Sequence, residues 1–376
     1  MSQSPPDIRI PADLLPADGR FGCGPSKIRP EAVEALADPS RTVLGTSHRQ
    51  APVRSLVHSV RAGLAELLSL PDGYEVVLGN GGSTVFWDIA TFGLVEERSQ
   101  HLVHGEFSSK FAAAVAAAPH LGDPEVIEAV PGTHGEAKAM PGIDAYALTH
   151  NETSTGVAMP LERPVGADPG ALVLVDATSG AGGLRFDPGE TDVYYFAPQK
   201  CLASDGGLWL AACSPAALER IGRISDGDRW IPASLDLATA VDNSRKDQTY
   251  NTPAIATLFL LDQQLQWLNG NGGLEWAANR SDLSAATLYR WAEARPWAAP
   301  FVRDPAMRSS VVGTVDLDDA IPAPVVSDVL RANGILDTDS YRKLGRNQLR
   351  IGMFPSVDPA DVAALTACVD HVVEQL

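Results

Sequence analysis

Three short stretches carry side chains that could do chemistry together. Lys200 ends the apolar run VYYFAPQ, Asp176 ends the run ALVLVD, and YEVVLGN opens into Gly81-Gly82-Ser83-Thr84. Alone, each has an ordinary explanation: a solvated lysine, a turn-forming aspartate, a tight glycine turn. In a parallel sheet, however, ligands bind beyond the carboxyl ends of the strands, so all three would meet on one edge. Free N–H groups at a glycine loop and a helix N-terminus hold phosphate. The loop has neither the Gly-Lys-Ser/Thr of a P-loop nor a GxGxxG pattern. A phosphate cradle, a carboxylate and a lysine on one edge suit pyridoxal phosphate. The lysine forms a Schiff base with the aldehyde. The carboxylate keeps the pyridine nitrogen protonated, so the ring accepts electrons when a substrate Cα–H bond breaks.

Such a site requires a sheet with helices between its strands. Residues 52–69 place Val53, Leu56, Val57, Val60, Leu64, Leu67 and Leu68 on one helical face, and VFWDIATFGLVEE predicts a second helix after the glycine loop. Further strands are predicted at 101–105, 125–130, 145–150, 171–178, 193–199 and 207–213. Several are continuous apolar runs, which suits a mostly parallel α/β sheet covered on both faces. Thr252-Pro253 resembles an N-cap followed by proline at N1, opening a helix to about 268. The pattern changes after about residue 265. A helix near 274–293, strand SSVVGTVDL, helix 322–333, strand QLRIGMF and helix 359–376 predict a smaller α+β domain.

Composition narrows the classes. The chain has 376 residues, 45% hydrophobic and 20% charged, with a formal net charge of −18. Wholesale disorder and binding to long polyanions such as nucleic acid are excluded as readings. Cys23, Cys201, Cys213 and Cys368 form no CxxC pair or zinc spacing and are expected to be buried thiols, so no metal is expected. The chain starts without a cationic stretch leading into an apolar run, and its longest apolar tract, FAAAVAAAP, is too short to span a membrane. A cytoplasmic protein is expected.

The sequence resembles the phosphoserine aminotransferase family, class V enzymes of the fold-type I pyridoxal-phosphate group, and its wording is most similar to the actinobacterial branch. The resemblance is carried by FGCGPSK, Ser47-His48-Arg49, the NGGST loop, Asn151-Glu152-Thr153, Asp176, Gln199-Lys200, Tyr250-Asn251-Thr252-Pro253 and the arginine-rich stretch near 342–350. It implies a seven-stranded, mostly parallel large domain at 21–268 and a small C-terminal α+β domain at 269–376. An N-terminal segment, 1–20, would pack on the small domain. It further implies Lys200 as the Schiff-base lysine and Asp176 as partner of the pyridine nitrogen. Thr153 would bond the ring's phenolic oxygen, and Ser83, Thr84 and Gln199 the cofactor phosphate. Phe107 would stack on the ring. Asn251 and Thr252 would reach the phosphate from a neighbouring subunit, making a homodimer with shared active sites. Two departures stand out: the family usually has Trp where Phe107 stands, and commonly Arg where Thr84 stands.

Two stretches, Tyr341–Arg350 and Ser47–Arg54, hold several cations and no acid. A substrate with both a carboxylate and a phosphate needs this. By resemblance, Arg350 takes the α-carboxylate, and His48, Arg49 and Arg342 take the phosphate or the side-chain carboxylate of glutamate. The resemblance assigns no role to Lys343 and Arg346, where the spacing differs from the commoner family pattern by a short insertion. The expected reaction is reversible transamination of 3-phosphohydroxypyruvate with glutamate, in serine biosynthesis and also possible with phosphohydroxythreonine in pyridoxine biosynthesis. Competing readings are an alanine–glyoxylate or serine–pyruvate aminotransferase, a cysteine desulfurase, and a nucleotide-binding α/β protein. Cys201 is expected to point away from the cofactor by strand alternation.

Overall fold

The computed structural model describes residues 6–38 and 43–376. The expectation for residues 1–5 therefore lies outside the described residues. The strands are β1 (Glu75–Gly81), β2 (Ser99–Val103), β3 (Glu125–Glu128), β4 (Ala145–Thr149), β5 (Asn151–Glu152), β6 (Val157–Ala158), β7 (Leu172–Asp176), β8 (Val193–Phe196), β9 (Gly207–Cys213), β10 (Ala298–Pro300), β11 (Val312–Leu317) and β12 (Gln348–Gly352). The helices are α1 (Pro30–Ala37), α2 (Ala51–Leu67), α3 (Ser83–Gly93), α4 (Glu106–Ala116), α5 (Pro215–Ser225), α6 (Leu237–Ser244), α7 (Ile255–Gly270), α8 (Gly273–Glu293), α9 (Ala323–Ala332) and α10 (Pro359–Gln375).

Seven strands form one sheet in the order β1-β9-β8-β7-β4-β2-β3. Strands β8, β7, β4, β2 and β3 are mutually parallel, and β9 runs antiparallel to both its neighbours. Alternation along each strand sorts side chains onto two faces. Leu78, Val173, Val175, Tyr194 and Leu210 pack with α2 and α7 on one face. Val77, Leu172, Leu174, Tyr195 and Trp209 pack with α3, α4, α5 and α6 on the other. Burial on both faces explains why the strands are continuous apolar runs.

A separate core gathers the second half of α8, α9, α10 and the three-stranded antiparallel sheet β10-β11-β12. Ile10 and Phe21 lie in this core, and the Asn333 side chain fastens the backbone of Ile8 and Ile10. Helix α8 bridges the two bodies, with Ala277 in the large core and Ala285 to Ala292 in the small one.

Two local expectations are corrected. Thr252 does not cap α7, which starts at Ile255 after Ala254 without a side-chain cap. The carbonyls of Asn251 and Thr252 instead accept from Asn80 Nδ2, pinning this segment against the end of β1. The helix after the glycine loop starts earlier, at Ser83, and stops at Gly93. Its predicted extension to residue 97 fails because the amides of Glu96, Glu97 and Arg98 are captured by the Asp144 carboxylate.

Candidate active site

The loops after β1, β4, β7 and β8 converge on a cavity of about 370 Å³. Larger grooves occur elsewhere, including one of about 560 Å³ beside Arg220 and Arg229. There the Arg220 and Arg229 guanidiniums are already committed to Asp144, Glu96 and backbone carbonyls.

Lys200 follows β8 in a turn and is only 7% exposed. Its Nζ donates to Thr153 Oγ1 at 3.0 Å and stands 5.1 Å from the centroid of the Phe107 ring. Burial lowers the lysine pKa, with the Asp176 charge acting in the opposite sense. The chain passes close by: a Cβ on Gly24 would lie 2.7 Å from Lys200 Cε, and Gly24 has a φ of +145. Glycine satisfies both constraints.

Asp176 ends β7 and is 5% exposed. Its Oδ1 accepts from the Thr178 amide at 2.9 Å and hydroxyl at 2.5 Å, and its Oδ2 accepts from the Trp87 indole at 3.1 Å. Burial pushes its pKa up, and these donors pull it back. Neither Trp87 nor Thr178 carries a functional signal in the sequence. A tryptophan in an apolar helix reads as core packing, and nothing local indicates that its N–H faces an aspartate.

The third component is the start of α3. Gly82 occupies the cap position and supplies no side-chain cap, leaving the first-turn amides directed at the cavity beside Ser83 and Thr84. Ser83 Oγ lies 2.6 Å from Thr178 Oγ1. Gln199 Oε1 and Asn151 Oδ1 are buried without a partner, and both residues line the cavity. Orphaned buried polar atoms around an uncapped helix start, with a buried lysine and carboxylate opposite, fit pyridoxal phosphate.

The turn after β4 completes the wall. Ser179 Oγ lies 2.8 Å from Thr153 Oγ1 and accepts from Asn151 Nδ2 at 2.7 Å. Arg350, on β12 of the small core, donates from Nη1 to the Thr153 carbonyl at 3.2 Å and lies over the Tyr341 ring. The Arg350 Nε is buried without a partner. Cys201 points away into a small apolar cluster with Cys23 and Phe354, its thiol on the Ser179 carbonyl and its pKa raised by burial.

Other predicted residues lie apart from this cavity. Asn251 and Thr252 do not line it; Thr252 Oγ1 sits 3.2 Å from His48 Nδ1, and the His48 Nε2 is buried without a partner. Arg49 and Arg342 are exposed. The stretch 341–350 is free of acids only along the sequence. In the fold, Lys343 pairs with Glu106, and Arg346 grips Asp316 through two bonds of 3.0 and 2.6 Å. Of its four cations, Arg342 and Arg350 have no carboxylate partner among the described residues.

The aminotransferase class-V family profile matches residues 21–336. The chain is 61% identical over 367 residues to a phosphoserine aminotransferase of Rhodococcus opacus, covering 98% of each. It is 63% identical over 370 residues to one from a Nocardioides species, covering 98% of this chain and 99% of that one. Among solved structures, a phosphoserine aminotransferase from Cytophaga hutchinsonii superposes with a TM-score of 0.86 at 23% identity, covering 96% of this chain and 99% of that one. At that identity the likeness is one of fold.

Proposed function

Because the chain belongs to the aminotransferase class-V family, we propose that it transfers the amino group reversibly between L-glutamate and 3-phosphohydroxypyruvate, giving 2-oxoglutarate and O-phospho-L-serine. This is a step of serine biosynthesis, and phosphohydroxythreonine, in pyridoxine biosynthesis, presents the same pair of anionic groups. Bound pyridoxal phosphate supplies the electron sink for the pair released at the substrate Cα. Ser83, Thr84, Gln199 and the start of α3 hold its phosphate. Phe107 covers one face of its ring, and Thr153 meets its phenolic oxygen.

Asp176 holds the proton at the pyridine nitrogen. Lys200, whose amine burial favours in its neutral form, takes and returns the proton at the substrate Cα. Arg350 binds the α-carboxylate. Arg342, His48 and Arg49 bind the phosphate or the glutamate side chain, which resolves how a protein of net charge −18 accepts a small dianion.

The active sites are shared in a homodimer. Asn251 and Thr252 lie outside their own chain's cavity, and the Thr252–His48 contact carries His48 and Arg49 along with them. The chain works in the cytoplasm, and no helix of the described residues is long and apolar enough to cross a membrane.

The observation that carries this reading is the meeting of buried Lys200, buried Asp176 and the uncapped α3 N-terminus on one cavity. Its test is borohydride reduction of the protein loaded with pyridoxal phosphate, followed by peptide mapping. Label on Lys200 is expected; label elsewhere, or none, would overturn the assignment.

A further inference from the structure

Glu152 carries a fully buried carboxylate that the reaction above does not use. It belongs to β5, on the same short turn as Asn151 and Thr153. Its side chain does not face the cavity but reaches the first turn of α4. Oε2 accepts from the Phe107 amide at 3.1 Å and the Ser108 amide at 3.0 Å. Oε1 accepts from the Ser154 amide at 3.2 Å and the Ser154 hydroxyl at 2.6 Å. The Ser154 hydroxyl oxygen in turn accepts from the Glu106 amide at 3.1 Å.

The leading amides of α4 are therefore satisfied by side chains of the turn that holds Thr153, not by a residue preceding the helix. The approach is tight. A Cβ on Gly105 would lie 2.4 Å from Glu152 Cγ, so the backbone just before the helix must be glycine to admit the carboxylate. Such a charge at a helix N-terminus is favourable, and its oxygens are well supplied with donors.

Phe107 sits at the second position of α4, the residue whose amide Glu152 holds, and its ring lies 5.1 Å from Lys200 Nζ. Thr153, next to Glu152 in sequence, accepts from the same Nζ at 3.0 Å. One carboxylate thus ties the helix that carries the Phe107 ring to the turn that carries the Thr153 hydroxyl, and both groups approach Lys200 Nζ. We propose that Glu152 is a positioning residue that fixes the Phe107 ring in register with Thr153 and so sets how tightly the cofactor ring is held. The weaker stacking area of phenylalanine makes that rigidity matter more than it would for tryptophan. The proposal rests on the reading that this cavity binds pyridoxal phosphate with Phe107 on its ring.

The test is the Glu152→Gln variant, which keeps the shape but turns an amide NH2 toward one set of donors. In the cofactor-loaded enzyme we expect release of pyridoxal phosphate to accelerate roughly ten-fold, the scale of one charge-assisted hydrogen bond. The induced circular dichroism of the bound cofactor should fall. Hydrogen exchange at the Phe107 and Ser108 amides should quicken, while the later amides of α4 stay protected. In a Phe107→Leu background the same substitution should leave the release rate unchanged.

Equal release rates and dichroism in parent and Glu152→Gln enzyme would overturn the proposal. So would an undiminished effect in the Phe107→Leu background, which would mean that Glu152 acts without Phe107. If Glu152→Gln does not fold, Ser154→Ala loosens the same carboxylate without removing it and is judged by the same outcomes. A parent chain that takes up no pyridoxal phosphate would instead defeat the functional reading and this proposal with it.

Discussion

The Trp87 indole N–H donates to Asp176 Oδ2 at 3.1 Å, on the carboxylate oxygen that Thr178 leaves free. A donor to a carboxylate favours its charged form, here against the burial that raises the Asp176 pKa. Trp87→Phe keeps the apolar packing and deletes the donor. Asp176 should then protonate at a higher pH, so the acidic limb of the kcat profile moves upward. At neutral pH, kcat should fall by roughly ten-fold, as for loss of a hydrogen bond to a charged group. An unchanged profile in the variant would separate Trp87 from the tuning of Asp176.

Lys200 makes a prediction for the cofactor-free protein. Burial lowers its folded-state pKa below the ordinary 10.5. Between the lowered value and 10.5 the unfolded chain binds a proton that the folded chain does not, so stability rises with pH through that window and is lost as pH falls. Lys200→Met removes this slope. The melting temperature of the variant should exceed that of the parent most at the acid side of the window, with the gap closing toward alkaline pH. A gap independent of pH would show that the lysine keeps its ordinary pKa.

Lys343 and Glu106 tie the loop bearing Arg342 to the helix bearing Phe107, and Tyr341 of the same loop lies 6.0 Å from the Phe107 ring. The Lys343 side chain is 58% exposed, so the pair adds little to global stability. Its effect should appear in substrate binding instead. Lys343→Met should raise KM for phosphoserine roughly two- to five-fold with little change in melting temperature, and added salt should do the same to the parent. A salt-independent KM in the parent would exclude the ion pair from holding the loop.

Shared active sites predict complementation. Lys200→Ala removes the proposed proton-transfer group, and an Asn251→Ala, Thr252→Ala double variant removes the groups proposed to cross to the partner. Random mixing of unfolded and refolded chains should restore about a quarter of parent activity, because half the dimers are hybrids with one intact site. Mixtures no more active than their components would place each site within one chain.

The sheet was legible because burial on both faces leaves long apolar runs, and Lys200 and Asp176 were legible because they interrupt those runs at the ends of strands. The helix begins at Ser83, two residues before the start that the sequence predicts, since its first turn is held by the fold and not by a local side-chain cap. Trp87 and Ser179 are not marked in the sequence, and Glu152 stands there only within the Asn151-Glu152-Thr153 match without a role, because each acts on a group distant along the chain and its type alone is compatible with a core, a turn or a surface. Thr178 is different: it bonds Asp176 two residues away, and a threonine just after a strand reads as a turn former. The cation-rich stretch shows the converse. It is free of acids along the chain, yet Lys343 meets Glu106 at a separation of 237 residues and Arg346 meets Asp316 at a separation of 30.

In the proposed function, Arg350, Arg342, His48 and Arg49 select an amino acid that carries a phosphate as its second anionic group. The most direct test is kcat/KM for phosphoserine, serine and alanine, each with 2-oxoglutarate as acceptor. Removing charge-assisted contacts costs roughly ten-fold or more apiece, so phosphoserine should lead serine by at least a hundred-fold, and Arg342→Ala should erase most of that lead. Equal turnover of serine or alanine would contradict the account and point to a class V aminotransferase for unphosphorylated substrates.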